Sequence, residues 1–177
     1  VSLVGVKYTT ARGVAAVAVD LVARKLDTKA PCRTDAVPLP GGDEPDLEAL
    51  QAQAAREAAG IAGPEVATQL VLTYGTGYRA VLAGARGERF AASRLSPEVP
   101  VIAAQIVHAI RHEMGLTLVD VVTRRTPLGA AGHPGPAVAR ACARVMAAEL
   151  GWDESRVEAE LAGLERFYAP VTLPRTP

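Results

Sequence analysis

The sequence predicts a mainly α-helical fold: a bundle-like helical domain over residues 46–168, preceded by the strand and helix of a different, α/β domain over residues 1–26. Three observations point there. Beyond residue 46, apolar residues recur at helical spacing in run after run, each bracketed by caps and breakers. Residues 27–45 contain Pro31, Pro38, Pro40, Gly41, Gly42 and Pro45 without periodicity, which reads as a linker. The run VSLVGV at residues 1–6 has the character of a strand, and a lone strand has nothing to pair with.

The elements follow in order. Thr9 or Thr10 can cap a helix that runs to Leu26, because a threonine oxygen accepts from free N–H groups of the first turn. Val14, Val17, Ala18, Leu21, Val22 and Leu26 give that helix its apolar spacing. After the linker, Asp46 caps a helix to about Ala59, Pro64 opens another that ends near Tyr74 and Gly75, and a short one spans residues 77–82. Residues 84–100 read as irregular, with Pro97 and Pro100 as breakers. Residues 101–114 form a helix with Ile102, Ile106, Ala109, Ile110 and Met114 on one face, ended by Gly115. Thr117 starts a helix to about Arg125, a loop covers residues 126–135, and Pro136 sits in the first turn of a long helix to Leu150. Gly151 stops that helix. Asp153 caps the last one, to about Tyr168, with Glu154 favourable to its dipole, and the residues from Pro170 are tail.

Bulk properties narrow the function. The 177 residues carry 19 Lys and Arg against 19 Asp and Glu, so no basic excess favours a nucleic-acid partner or an anionic membrane surface. Arg124, Arg125, Arg140 and Arg144 supply only part of the basic face a DNA-binding helical domain needs. Cys32 and Cys142 lie far apart and outside any CxxC pair, which reads as two reduced thiols in a cytoplasmic protein. No apolar run approaches the roughly 20 residues of a membrane-spanning helix. The first residue is Val1 rather than methionine, so the chain is expected to be a segment of a longer protein.

Four constellations carry candidate chemistry. In Gly5-Val6-Lys7-Tyr8-Thr9-Thr10-Ala11-Arg12, a glycine at a strand end admits a ligand close to the backbone, and the lysine, threonines and arginine can donate to an anionic group. On spacing alone, an ordinary capped helix with surface cations is the better description. His108 and His112 have the i, i+4 spacing of a metal pair, but Glu113 follows the second histidine and no third ligand is near, so no metal site is expected. In Asp120-Val121-Val122-Thr123-Arg124-Arg125-Thr126, the arginines suit the negative end of a helix and Asp120 can pair with Arg124. Trp152 is read as the anchor between the last two helices. No nucleophile–base arrangement or carboxylate pair is present, and no residue is expected to be catalytic within this chain.

Gly5-x-Lys7-Tyr8-Thr9-Thr10-x-Arg12 resembles the GGK-x-TTYR segment of flavin-dependent glycerol-3-phosphate dehydrogenases. Cys32-Arg33-Thr34 with Pro38-Leu39-Pro40-Gly41-Gly42 is similar to that family's linker, and Tyr74-Gly75 to its YG dipeptide. The run from Ile102 to Arg124-Arg125-Thr126 is similar to its helix pair ending in RRT, and Met146-Ala147 through Glu149-Leu150-Gly151-Trp152 to its closing MA-x-ELGW. The matches occur in family order and span most of the chain. Val6 stands where the family has a second glycine, Ala11 where it has an aromatic, and Gln105 where an acidic residue is expected.

The resemblance implies that residues 1–26 end an FAD-binding domain, that 27–45 link it onward, and that 46–168 are the helical C-terminal domain. It implies a parent that oxidises glycerol 3-phosphate to dihydroxyacetone phosphate and passes electrons through FAD to a quinone, peripheral on the inner face of the plasma membrane. Gly5, Lys7, Thr9, Thr10 and Arg12 are then the cofactor-binding residues, with Lys7 also reaching the substrate phosphate. The partner is the FAD-binding domain of the same parent, and the segment alone is expected not to hold FAD tightly. A rival reading makes the helical domain a docking, homodimerisation or membrane-association module.

Overall fold

A computed structural model describes residues 1–5, 7–28, 30–87 and 91–169. It divides into two compact units, Val1–Asp43 and Glu44–Pro177. In the first, residues 1–5 are not paired into a strand, a correction to the expected strand, whose sixth residue lies outside the described residues. The reason is the one the sequence implied: an extended segment becomes a strand only by exchanging hydrogen bonds with a neighbour. A 3₁₀ turn, Tyr8–Thr10, leads directly into α1, Ala11–Lys25. None of the α1 residues is buried, and Val17, Val19, Leu21 and Val22 are exposed.

The second unit is helical. Asp46 caps α2, Leu47–Ala58, by accepting the Ala49 N–H at 2.9 Å. Pro64 occupies the first turn of α3, Pro64–Tyr74, where its missing N–H costs nothing. A 3₁₀ turn, Gly75–Gly77, joins α3 to α4, Tyr78–Gly87, which continues well past the expected stop near Leu82. Gly84 does not break α4: no atom crowds it and its backbone stays helical.

The stretch before α5 is ordered by backbone bonds that spacing did not reveal. Arg94 and Ile102 form an antiparallel bridge, and the Leu95 N–H donates to Val101 O at 2.9 Å. The first N–H groups of α5, Ala103–Glu113, are taken by this stretch: Ala103 donates to Ser93 O at 3.0 Å and Ala104 to Ala91 O at 2.8 Å. Gln105, fully buried, accepts the Ile102 N–H at 3.1 Å, one half of a capping box. A neutral amide makes that bond without the cost of burying a carboxylate.

Thr117 caps α6, Leu118–Asp120, which runs on into a π turn, Val121–Arg125. Both the N–H and the hydroxyl of Thr126 donate to Val121 O, at 3.0 and 2.8 Å, and close that wider turn. Next come α7, Pro136–Leu150, ended by left-handed Gly151, and α8, Glu154–Tyr168, capped by Asp153 accepting the Arg156 N–H at 2.7 Å.

Two clusters form the core, and α5 belongs to both. Ile106 and Val107 pack with Leu118, Val121 and Val122 and with the inner faces of α7 and α8. Ile102 and Ala104 pack with Leu50, Leu70, Val71, Tyr78, Val81 and Leu82 of α2, α3 and α4. Trp152 is partly buried against the first cluster, as expected, with the Arg156 guanidinium 5.4 Å from its ring centre. Arg111 grips Glu149 through two bonds of 2.9 and 2.7 Å, and Arg140 reaches Glu158 at 2.7 Å, so α5, α7 and α8 are also tied at the surface. Met114 departs from the expected apolar face. It is the left-handed cap of α5 (φ 57°) and 77% exposed.

Candidate functional site

The five expected site residues lie in one short segment of the first unit. Gly5 has φ 74°, in the left-handed region, with no atom within 4 Å of where a Cβ would stand. The glycine is therefore required by its backbone angle, and it leaves open space beside it. Lys7 precedes the 3₁₀ turn, and its carbonyl accepts both the N–H (3.1 Å) and the hydroxyl (3.2 Å) of Thr10. Thr10 thus uses its donor locally but keeps its oxygen lone pairs. Lys7, Thr9, Thr10 and Arg12 are all exposed, and neither Lys7 nor Arg12 has a carboxylate partner among the described residues. The segment presents cations and hydroxyls to solvent and contains no acid–base pair.

Arg12 faces a feature the sequence did not show. The chain after α1 turns back, and Arg33 and Thr34 line two adjoining concavities with Arg12. The thiol of Cys32 and the hydroxyl of Thr34 are 3.2 Å apart, and this contact lowers the Cys32 pKa from its ordinary value. Cys142 is the opposite case: it is fully buried in α7, and burial pushes its pKa up to about 12.

The titratable groups of the second unit are placed as structure rather than as a reaction centre. The His108 and His112 rings are 4.8 Å apart, and His108 Nε2 lies 3.9 Å from Glu113 Oε1. Tyr74 meets His108 edge-on at 5.3 Å. Burial lowers the His108 pKa, with Glu113 opposing the shift, and burial raises Tyr74 to about 12. Among the described residues no group of three or more His, Cys, Asp or Glu is placed to hold an ion. His133 accepts the Gly135 N–H on Nδ1 at 3.0 Å and directs Nε2 at Glu165, 3.3 Å away. The Nε2 contact is a charge proximity without hydrogen-bond geometry, and this nitrogen is buried with no hydrogen-bond partner among the described residues. Asp120 pairs with Arg124 at 2.7 Å, as the spacing suggested. Among the described residues no helix is long and apolar enough to cross a membrane.

Comparison with known proteins agrees with the helical architecture. Residues 32–157 match the family described as the C-terminal domain of alpha-glycerophosphate oxidase. A glycerol-3-phosphate dehydrogenase of Synechocystis is 30% identical over 98% of this chain and 32% of its own length. The mitochondrial glycerol-3-phosphate dehydrogenases of Mesocricetus auratus and Bos taurus are 34% and 32% identical, each over 94% of this chain and 23% of their own length. The chain thus spans between about a quarter and a third of the length of these relatives. No solved structure matches. With residues 32–157, well over half of its length, matched, the chain belongs to the family of the C-terminal domain of alpha-glycerophosphate oxidase.

Proposed function

We propose that this chain is the C-terminal part of a flavin-dependent glycerol-3-phosphate dehydrogenase, with residues 1–26 completing its FAD-binding domain and 46–168 forming its helical domain. The observation that carries the reading is the likeness to glycerol-3-phosphate dehydrogenases over 94–98% of the chain. These relatives do not favour a free-standing docking or oligomerisation module.

The donor segment fits a flavin. Open space beside left-handed Gly5 admits the edge of a planar ring, and Lys7, Thr9 and Arg12 point donors outward for its carbonyl and phosphate oxygens. Lys7 also serves the substrate phosphate as a point charge. FAD, when bound, supplies the acceptor for the hydride equivalent leaving C2 of glycerol 3-phosphate. The chain's own contribution is to hold ring and substrate in register. The remainder of the longer protein supplies the other wall of the site and meets a quinone at the membrane surface.

Two experiments test this. A fluorescence titration of the chain with FAD is expected to stay flat, since one exposed segment makes half a site; saturable binding overturns the need for the remainder. Grafting the chain in place of the matching part of the Synechocystis relative is expected to retain glycerol-3-phosphate-dependent dye reduction. In that chimera Lys7→Met lowers kcat/KM by about 100-fold, the worth of a charge-assisted phosphate contact. A folded, flavin-loaded chimera indifferent to Lys7→Met removes that residue from the site.

A further inference from the structure

We propose that His133 is a pH-sensitive latch at the start of α7: neutral, it closes the turn at residues 133–135, and protonated it releases that turn and pairs with Glu165. His133 here plays the part an asparagine plays in a tight turn, where a side-chain acceptor takes the N–H two residues on. Its Nδ1 accepts the Gly135 N–H at 3.0 Å, so that nitrogen carries no proton in this arrangement. Gly135 is the residue before α7 and has no side chain with which to cap the helix. Its carbonyl accepts the Ala139 N–H at 3.0 Å, so the turn sets where α7 begins. Gly132 (φ 127°) and Gly135 (φ 90°) flank the histidine, and glycines on both sides let the segment change its angles cheaply.

The far nitrogen meets a different environment. Nε2 is buried, makes no hydrogen bond among the described residues and lies 3.3 Å from Glu165 Oε1. Glu165, Arg166 and Tyr168 of α8 share a concavity of about 520 Å³ with His133. The Tyr168 ring stands edge-on to the imidazole, 5.3 Å between centres, and burial raises its pKa, so it stays uncharged. Arg166 brings a like charge to the concavity, against which stand the Glu165 carboxylate and the free carbonyls of the last turn of α8. Residues 126–135 contain no other titratable side chain, and among the described residues no other carboxylate lies within ion-pair distance of His133. A second proton on the ring falls on Nδ1, and an N–H there cannot accept from Gly135. The imidazolium thus loses the turn and gains the carboxylate. The other end of the loop stays fixed, because the Tyr168 hydroxyl donates to Gly129 O at 2.9 Å.

The test follows the His133 ring and the Gly135 amide of the chain by NMR from about pH 8 to about pH 5, the span in which imidazoles titrate. The Gly135 amide resonance is expected to move with the same midpoint as the His133 ring. Its hydrogen exchange, corrected for the intrinsic pH dependence, quickens by about 5-fold on the acid side, the worth of one hydrogen bond. His133→Asn supplies an oxygen that accepts the same N–H and does not titrate, so Gly135 stays protected and its resonance stays still at both ends. Glu165→Gln keeps the turn at high pH and moves the shared midpoint to lower pH, because the imidazolium loses its partner. A Gly135 amide that ignores the His133 titration, or one that keeps its pH dependence in His133→Asn, overturns the latch. A midpoint unmoved by Glu165→Gln overturns the pairing with that carboxylate.

Discussion

Consecutive residues at the end of α5 show two different demands on side chains. Met114 takes the left-handed cap, a conformation that costs a residue with a Cβ about 1 kcal/mol or more, yet its side chain is 77% exposed. Gly115 has ordinary angles, but a Cβ there would stand 3.2 Å from Ala109 O and 3.2 Å from Val121 Cγ2. The glycine is thus kept by packing and the methionine pays a backbone strain. Met114→Gly is expected to raise stability by about 0.5–1 kcal/mol, and Gly115→Ala to lower it by about 1–3 kcal/mol. The check is the denaturant midpoint at unchanged slope; a Gly115→Ala protein with the original midpoint shows that the turn relaxes freely. His108 adds a pH dependence. Burial lowers its pKa below the ordinary 6.5, against the attraction of Glu113 and with the help of His112, while Tyr74 covers it from α3. Above pH 6.5 the ring is neutral in the folded and unfolded chain alike, and the shift contributes no penalty. As pH falls through 6.5 the unfolded chain takes the proton first, so stability declines until the folded pKa is passed. His108→Gln should remove this part of the acid slope between about pH 7 and pH 5; an unaltered slope assigns the acid sensitivity elsewhere.

Among elements, those announced by local chemistry were legible and those made by distant partners were not. Asp46, Thr117 and Asp153 accept first-turn N–H groups as their residue types suggested, and Pro64 and Pro136 open helices as expected. Residues 91–100 carried no such signal. Their order comes from a bridge to Ile102 and from giving carbonyls to α5, which periodicity cannot register. Ser96 anchors that stretch: it is only 8% exposed, and its hydroxyl oxygen accepts the N–H groups of Glu98 and Val99, both at 3.2 Å. Ser96→Ala leaves both donors without this acceptor and should cost about 1–3 kcal/mol. Hydrogen exchange at Ala103 and Ala104 should quicken with it; exchange there at the original rate means the α5 start holds without Ser96. The donor segment at Gly5–Arg12 was readable as a motif because its residues are consecutive. Arg33 was not, since only the return of the chain beside α1 brings it to Arg12.

At the scale of the molecule, α5 decides how the helical unit unfolds. It serves both clusters, Ile106 among α6, α7 and α8, and Ala104 with the cap residue Ile102 among α2, α3 and α4. Neither cluster can lose this shared helix and keep its packing, so the two should melt as one. Ile106→Ala and Leu70→Ala, at positions with no exposed surface, should each cost about 2–5 kcal/mol and shift a single transition seen identically by Trp152 fluorescence and by helical circular dichroism. Trp152 packs only with the α6–α8 cluster, so a Leu70→Ala protein whose tryptophan signal stays put while helicity falls early would show two independent clusters. The first unit has no such support. α1 is 15 residues long with none buried, near the length at which an isolated helix is marginal in water. Its amides should therefore exchange with little protection in this chain, by a local opening separate from the transition of the core. In the chimera with the Synechocystis relative the same amides should become protected, because the valine and leucine side chains that α1 now exposes would gain a surface to pack on. Equal exchange in both settings would mean that α1 does not dock on the rest of a dehydrogenase, and the assignment of residues 1–26 to its flavin domain would fall with it.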